Sequence, residues 1–290
     1  MTRHFLTGEE LTSEELAQLL DRAIELKADR SASRALEGRS VALIFEKPST
    51  RTRISFEVGV FELGGHPVVL REGEMQLSRG ESVRDTALVL SRYVAAIGVR
   101  TGAHAPVAEL AEHATVPVVN MLTADHHPCQ ALADLLTIRE RFGRLEGLKL
   151  AYVGDGNNVA RSLMIIGASA GMEVAVAAPA ELAPEPAGGA SVVTDPAEAV
   201  EGAHAVYTDV WVSMGDEDGA AKRGLLDGYR LDESLLARAA DGAVALHCLP
   251  AHVGEEITAG VLYGPQSAVW DQAENRLHAQ KALLELLVAR

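Results

Sequence analysis

Cysteine is scarce in this sequence, and aromatic residues are few. Cys129 and Cys248 are the two cysteines among 290 residues, and they lie far apart, outside any CxxC spacing. This excludes a disulfide framework, does not suggest a structural zinc site, and favours a reducing cytoplasm. Phe, Tyr and Trp make up 4% of the chain, so the core is expected to consist mainly of Ala, Val, Leu and Ile.

Long hydrophobic runs and an excess of basic residues are also missing. No stretch approaches the roughly 18 apolar residues of a membrane span, and the start of the chain holds no apolar run of signal-peptide length. The net charge of −15 argues against nucleic acid or a membrane as a partner. Residues 101–290 hold 12 basic and 26 acidic residues, against 14 and 15 in residues 1–100, so an anion is expected to prefer the first part.

Apolar runs of strand length alternate with helical patterns along the chain. The length predicts about two domains, and the alternation predicts parallel sheets with helices on both faces. The pattern restarts after Gly147, so we predict an α/β protein of two doubly wound domains, 1–146 and 147–290. The predicted strands are 41–45, 94–99, 116–119, 148–153, 173–177, 204–208, 243–247 and 268–270. The predicted helices are 12–28, 51–63, 82–92, 105–114, 129–142, one from about 157, and 274–288, with a loop at 179–190.

Hydroxyl groups and arginines cluster where the strand at 41–45 gives way to a helix. Ser49, Thr50 and Thr52 supply hydroxyl donors, and Arg51 supplies a guanidinium. The first N–H groups of a helix and its positive end attract a phosphate, which an arginine binds with two parallel hydrogen bonds. The alternative is ordinary helix capping with solvated arginines. The density of donors favours an anion site.

A histidine pair opens the predicted helix at 129–142. A neutral imidazole and the amide of Gln130 can donate to a carbonyl oxygen and accept from an amide, as an acyl-transfer site requires. A structural histidine is one alternative. Zinc binding by His126, His127 and Cys129 is another, but their spacing matches no common ligand set.

The segment Gly154-Asp-Gly-Asn-Asn follows a predicted strand, as a dinucleotide-binding turn would. The fingerprint fails, because Val159 occupies its third small position and Glu173 begins the next strand instead of ending it. A nicotinamide coenzyme is therefore not expected. The amides of Asn157 and Asn158 either bind something polar or form a turn.

Two later strands are also followed by side chains that could bind a ligand or take part in a reaction. Asp209 leaves a strand at the edge where α/β proteins bind ligands, so it either holds a cation or caps a helix. Cys248 follows another strand, and a buried inert thiol is its default interpretation. The Leu249–Pro250 bond that follows is trans by general preference.

Five motifs in order along the chain together resemble the ornithine carbamoyltransferases. They are STRTRISF at 49–56, HPCQALADL at 127–135, DGNN at 155–158, DVWVSMG at 209–215 and HCLPAH at 247–252. The resemblance implies transfer of a carbamoyl group from carbamoyl phosphate to the side-chain amine of L-ornithine, giving L-citrulline and phosphate in arginine biosynthesis. It also implies that 1–146 binds carbamoyl phosphate and that 147–290 binds ornithine.

The resemblance assigns a role to each matching position. Carbamoyl phosphate is expected at Ser49, Thr50, Arg51, Thr52, Gln76, Arg100, His127, Gln130, Cys248, Leu249 and Arg276. Ornithine is expected at Asn158, Asp209, Ser213 and Met214. Arg100, His127, Asp209 and Cys248 are the implied catalytic residues, with no metal and no cofactor. The Leu249–Pro250 bond is expected to be cis on this resemblance.

The resemblance also implies an assembly, and the sequence departs from the family pattern at a few positions. A homotrimer with shared active sites is expected, in which 76–82 reaches a neighbour's site. Long helices would link the domains, with 273–290 packing back on the first one. Val253 stands where the family usually has arginine, and Arg161 stands where a small or polar residue is usual.

Three rival functions stay open. A transcarbamoylase acting on putrescine, N-acetylornithine or aspartate is the nearest, although aspartate would need cationic residues where Asp209 stands. A nicotinamide-dependent oxidoreductase would share the fold type. A non-catalytic anion-binding protein would keep the phosphate site alone.

Overall fold

The computed structural model describes residues 2–75, 80–212 and 219–289, and it confirms the α/β class. The chain forms two compact units. Unit 1 is Met1–Leu136 with Asn275–Arg290, and unit 2 is Thr137–Glu274. The chain passes from one unit to the other within two long helices, Pro128–Phe142 and Val269–Val288. The boundary predicted at 147, with its functional labels, stays a prediction.

Unit 1 contains a parallel sheet with the strand order β2-β1-β3-β4. The strands are β1 (Ser40–Phe45), β2 (His66–Arg71), β3 (Ala96–Arg100) and β4 (Val118–Leu122). Its helices are α1 (Ser13–Ala28), α2 (Arg51–Glu62), α3 (Val83–Leu90) and α4 (Ala105–His113). The central strands are apolar throughout because helices cover both faces of a parallel sheet.

The edge strand β2 was missed by the sequence analysis. Its apolar run is short and contains Pro67, which has no N–H to donate to a sheet. An edge position tolerates proline, and β2 pairs with β1 alone in the sheet order. The sequence analysis made no assignment for this run, and its strand character depends on the edge position.

Unit 2 contains a second parallel sheet with the order β7-β6-β5-β8-β9. The strands are β5 (Lys149–Val153), β6 (Glu173–Ala177), β7 (Ser191–Val193), β8 (Ala205–Thr208) and β9 (Val244–Leu246). The helices are α5 (Pro128–Phe142), shared with unit 1, α6 (Asn158–Ser169), α7 (Pro196–Val200), α8 (Gly219–Leu226), α9 (Glu233–Leu236) and α10 (Ala259–Leu262). In each sheet the strand order reverses once, and α/β proteins bind ligands at that point, beyond the carboxyl ends of the strands.

The strand predicted at 268–270 is wrong. Val269 and Trp270 begin α11 (Val269–Val288), five residues before the predicted helix start at 274. Ser267 makes a single parallel bridge with Ala245, and the Ala268 N–H donates to the Ala245 carbonyl at 3.0 Å. The apolar run is therefore one bridge followed by a helix, and three residues are too few to separate those cases by periodicity.

Local sequence explains where the first helix begins. The Thr12 hydroxyl accepts from the Glu15 N–H at 3.2 Å, and the Glu15 carboxylate accepts from the Thr12 N–H at 3.0 Å. This reciprocal pair satisfies two backbone donors that the helix leaves open, as the sequence predicted. Among the described ranges, no helix has the length and hydropathy that crossing a bilayer requires.

Candidate active site

Thr52, in the first turn of α2, is the centre of a cationic cluster in unit 1. Its side chain is 2% exposed. The Thr52 hydroxyl oxygen accepts from Arg276 Nη2 at 2.5 Å and from Arg100 Nη1 at 3.4 Å. Arg100 ends β3 and Arg276 lies in α11, so two distant parts of the chain bring guanidinium groups to the start of α2. The cluster combines two buried cations with the positive end of a helix.

Gln130 fixes the orientation of one of these cations. Arg276 Nη1 donates to Gln130 Oε1, and Gln130 Nε2 donates to Asp134 Oδ1 at 2.7 Å. All three side chains are at most 3% exposed. Because Asp134 orients the amide and the amide orients the guanidinium, the charge is held in place before any ligand arrives. The sequence analysis missed Asp134, although its i, i+4 spacing from Gln130 on one helix face was visible.

His127 lies directly before α5 and is buried in unit 1. Burial, and then the positive charges of Arg276 and Arg100, hold the pKa of His127 well below its usual value. A neutral imidazole can donate a hydrogen bond to a carbonyl oxygen without first losing a proton. The chemistry expected of His127 from the sequence therefore suits its surroundings.

The remaining predicted residues of unit 1 are Ser49, Thr50 and Arg51, which directly precede Thr52 in the chain, and Gln76. Ser49 and Arg51 are half-buried and Thr50 is exposed. Thr50 precedes α2 without capping it through its side chain, so ordinary capping by Thr50, one alternative for this segment, does not occur. Gln76 lies outside the described residues.

The zinc alternative finds no support at Cys129. Its thiol is fully buried and donates to the Asn120 carbonyl at 3.3 Å. Burial raises the pKa of Cys129 to about 12. Zinc binds a thiolate, so this protonated thiol is a poor ligand.

Asp209, directly after β8, is the centre of a second cluster, in unit 2. Its carboxylate is 5% exposed, and it accepts from Asn157 Nδ2 at 2.9 Å and from Cys248 Sγ at 2.9 Å. Asn157 also caps α6 through its side-chain oxygen Oδ1, which accepts from the N–H of Val159 at 2.9 Å. The cap thus fixes the amide that orients Asp209.

The sequence analysis selected Asn158, whereas Asn157 is the residue that contacts Asp209. Asn158 begins α6 and is half-buried, and its ornithine-binding role stays a prediction. The signal for Asn157 was the preference of asparagine for the position before a helix. The predicted residues Ser213 and Met214 lie outside the described part of the chain.

The turn after β9 is held by a buried histidine. His247 Nδ1 accepts from the Leu249 N–H at 2.9 Å, and His247 Nε2 faces Glu256 Oε1 at 3.0 Å. Burial would raise the pKa of Glu256, but hydrogen bonds from His247 and from the His252 N–H outweigh it and lower that pKa. The Leu249–Pro250 bond is cis, and Leu249 has a backbone φ of 60°, which residues other than glycine rarely adopt. This turn sets Cys248 against Asp209.

Two groups of side chains in the described ranges have metal-ligand geometry. Ligand atoms of Asp209, His247 and Cys248 lie within 4.8 Å of one another, as do those of His252, Glu255 and Glu256. Both ring nitrogens of His247 already have partners, and Glu255 accepts from Arg223 Nε at 2.9 Å. The arrangements therefore favour hydrogen bonding over metal binding. The departures Val253 and Arg161 are both exposed.

Comparisons with known proteins cover nearly the whole chain. Residues 3–140 match the family model for the aspartate/ornithine carbamoyltransferase carbamoyl-P binding domain, and 146–287 match that for the Asp/Orn binding domain. The chain is 59% identical over 303 residues to an ornithine carbamoyltransferase of Acidothermus cellulolyticus, covering 99% of this chain and 97% of the relative.

Solved structures give the same similarity. The ornithine carbamoyltransferase of Pyrococcus furiosus is 47% identical with a TM-score of 0.91, and the match covers 97% of this chain and 96% of that one. The enzyme of Thermus thermophilus is 44% identical with a TM-score of 0.92, and the match covers 100% of both chains.

Proposed function

Because the chain belongs to the aspartate/ornithine carbamoyltransferase family, we propose that unit 1 binds carbamoyl phosphate through the Thr52 cluster and that unit 2 binds L-ornithine through Asp209. The enzyme transfers the carbamoyl group to the side-chain amine of ornithine, giving L-citrulline and phosphate. This reaction belongs to arginine biosynthesis.

The buried cations around Thr52 are the observation that carries the assignment of carbamoyl phosphate. Arg100 and Arg276 both donate to Thr52 and are at most 8% exposed. Two buried guanidinium groups beside the start of a helix attract a phosphate dianion. Ser49, Thr50 and Arg51 extend the donor set at the start of α2, and Gln76 is assigned on family resemblance.

Neutral His127, with Gln130, suits the carbamoyl group. As the amine attacks the carbamoyl carbon, negative charge develops on the carbamoyl oxygen. His127 and the guanidinium of Arg100 would stabilise that oxygen, and loss of one such donor typically costs about 3 to 4 kcal/mol. The C–O bond to phosphate then breaks, and the Arg51 and Arg276 side chains would hold the departing dianion.

The amine itself is the nucleophile, so the protein supplies no covalent intermediate. Asp209 accepts a hydrogen bond from the Cys248 thiol at 2.9 Å, which places a carboxylate and a polar sulfur together. Asp209 would orient ornithine, and with Cys248 it would assist removal of the proton that the amine loses. The carbonyl oxygen of Leu249, together with Asn158, Ser213 and Met214, completes the assigned set.

Release of phosphate together with formation of the carbamoylated acceptor, which is citrulline for ornithine, tests this function directly. The purified protein would be supplied with carbamoyl phosphate and, in parallel, with L-ornithine, putrescine, aspartate or N-acetylornithine. A strong preference for ornithine is expected. Turnover with another acceptor alone would keep the phosphate site and overturn the ornithine assignment, and a lack of turnover with every acceptor would favour a non-catalytic anion-binding protein.

The domain labels and the assembly belong to the same proposal. Residues 1–146, with helix 273–290, form the carbamoyl phosphate domain, and 147–290 form the ornithine domain, as the family models support. The protein acts in the cytoplasm as a homotrimer with shared active sites, without nucleic acid or membrane partners. Sedimentation equilibrium of the purified protein would test the trimer, and a monomer with full activity would contradict shared sites.

A further inference from the structure

A buried ion pair lies beside the ornithine site and takes no part in the chemistry described above. Asp155 follows Gly154 at the end of β5, and its side chain is 8% exposed. Lys222 Nζ in α8 lies 2.7 Å from Asp155 Oδ2, with its own side chain 17% exposed. Since a buried pair contributes little net stability, its presence calls for another reason.

Asp155 lies next to the Asp209 cluster, because the Asn157 N–H donates to the Asp155 carbonyl at 2.7 Å and Asn157 Nδ2 donates to Asp209 at 2.9 Å. The pKa of Tyr152 is affected by both carboxylates. This tyrosine is fully buried in β5. Burial raises the pKa of Tyr152 well above its usual value, and the acidic groups of Asp209, Asp155 and Cys248 raise it further. Asp155 therefore adds a second carboxylate to the surroundings of Asp209, whose own contacts are a neutral amide and a thiol.

We propose that Lys222 is a positioning residue that cancels the charge of Asp155, so that bound ornithine meets the uncompensated charge of Asp209 alone and its side-chain amine can become neutral and reactive. This inference rests on the proposed function of unit 2. Among the described residues, Lys222 from α8 pairs with Asp155, and the pKa of Tyr152 from β5 is affected by Asp155 together with Asp209 and Cys248, which follow β8 and β9.

The reason is the charge of the substrate. Ornithine carries two ammonium groups and one carboxylate at neutral pH, and its side-chain amine attacks only after losing a proton. Each nearby carboxylate favours the ammonium form and raises the pH at which the amine becomes reactive. A second uncompensated carboxylate would therefore bind the cation more tightly and at the same time suppress the nucleophile.

Lys222→Met, which removes the charge and keeps most of the side-chain length, is the first test. The acidic limb of the pH profile of kcat/KM for ornithine is expected to move towards alkaline pH by about half a unit to one unit. At pH 7 this means a loss of about three- to tenfold that disappears at alkaline pH. The KM for carbamoyl phosphate should stay unchanged, and Lys222→Arg should keep the wild-type profile.

Asp155→Asn provides a test with the opposite sign. This variant leaves the Lys222 charge without its partner carboxylate, so the acidic limb should move towards acidic pH. The double variant Asp155→Asn with Lys222→Met has no net charge change and should return the limb to the wild-type position. Should Lys222→Met fail to fold, the pH profiles of Asp155→Asn and Lys222→Arg still test whether the acidic limb moves in the expected direction.

Several outcomes would overturn the inference. One is an unmoved limb in Lys222→Met with only a lower Tm, which would indicate a structural pair. Another is loss of affinity for L-norvaline, which lacks the side-chain amine, because Lys222 would then bind the substrate carboxylate. A wild-type protein that does not use ornithine would instead refute the proposed function, so the two failures are distinguishable.

Discussion

The Thr52 cluster of unit 1 and the Asp209 cluster of unit 2 carry opposite charge. In unit 1 the buried guanidiniums of Arg100 and Arg276 both donate to the hydroxyl of Thr52, and Asp134 orients Arg276 through Gln130. In unit 2 the carboxylate of Asp209 contacts a neutral amide and a thiol. A dianion needs fixed cations. An amine that must lose a proton needs one carboxylate, with no net charge on the other groups around it. Each cluster therefore suits a different substrate.

Arg51→Ala would test the cationic side of this contrast with the largest expected effect. Arg51 is half-buried at the start of α2, so its removal should leave the fold intact. Loss of a charged phosphate ligand should lower citrulline formation by about a thousandfold or more. Initial rates and the Tm would be measured beside Arg34→Ala, which breaks only an exposed ion pair with Glu37. Normal turnover by Arg51→Ala would refute its role.

Asp209→Asn would test the anionic side. The change keeps the shape and removes the charge, so kcat/KM for ornithine should fall by about a hundredfold. Binding of carbamoyl phosphate, measured by calorimetry, should change by less than about twofold because the charge lies in unit 2. Asp195→Asn, at the exposed cap of α7, is the matched control. Equal losses for both substrates would remove the distinction between the clusters.

Thr52→Val would test whether preorganisation matters in unit 1. The valine removes the acceptor shared by two buried guanidiniums, which should cost about 1 to 3 kcal/mol in the free energy of unfolding. Affinity for carbamoyl phosphate should drop by about tenfold, since the cations must be ordered on binding. Thr208→Val, which removes a buried bond to the Val153 carbonyl in unit 2, should leave that affinity unchanged. Identical affinities for wild type and Thr52→Val would argue against preorganisation.

The neutral state of His127 gives the smallest expected effect. Its pKa is lowered by burial and by Arg276 and Arg100, so below about pH 6.5 the unfolded chain takes up a proton that the folded protein does not. Stability should therefore fall with falling pH, by at most about 1.4 kcal/mol per pH unit for this group. The free energy of unfolding would be measured by urea titration of wild type and His127→Asn at several values between about pH 5 and 8. It should depend less steeply on pH in the variant. The same pH dependence in both proteins would contradict the expectation.

The residues at strand ends were the part of the site that sequence could predict. Arg100 ends β3, Asp209 and Cys248 come soon after β8 and β9, and Thr52 lies in the helix that follows β1. Parallel strands present their carboxyl ends at one edge of each sheet. The partners that orient them were less predictable. Asp134 lies one helical turn from Gln130, a local spacing that the sequence does show, whereas Lys222 meets Asp155 across a distance of 67 residues in sequence. The second kind of pairing is set by tertiary packing, which no local pattern encodes.

The fold likewise divides into features set by local sequence, which could be predicted, and features set by tertiary pairing, which could not. The capping box at Thr12 was predicted because both partners lie within one turn. The strands β2 and β7 were missed and 268–270 was assigned wrongly, since short apolar runs fit a strand, a bridge or a helix start equally well. Pairing with neighbours decides among these, and that information lies elsewhere in the chain.

The scarcity of cysteine leaves one thiol in each unit, and the two differ in access. Cys129 is fully buried and its pKa is about 12, whereas Cys248 is half-buried. A disulfide reagent can reach the first thiol only through an opening fluctuation of unit 1, so its labelling rate reports the frequency of that opening. The native chain thus carries its own reporter of openings in unit 1, with the more accessible Cys248 of unit 2 as an internal reference for the reagent.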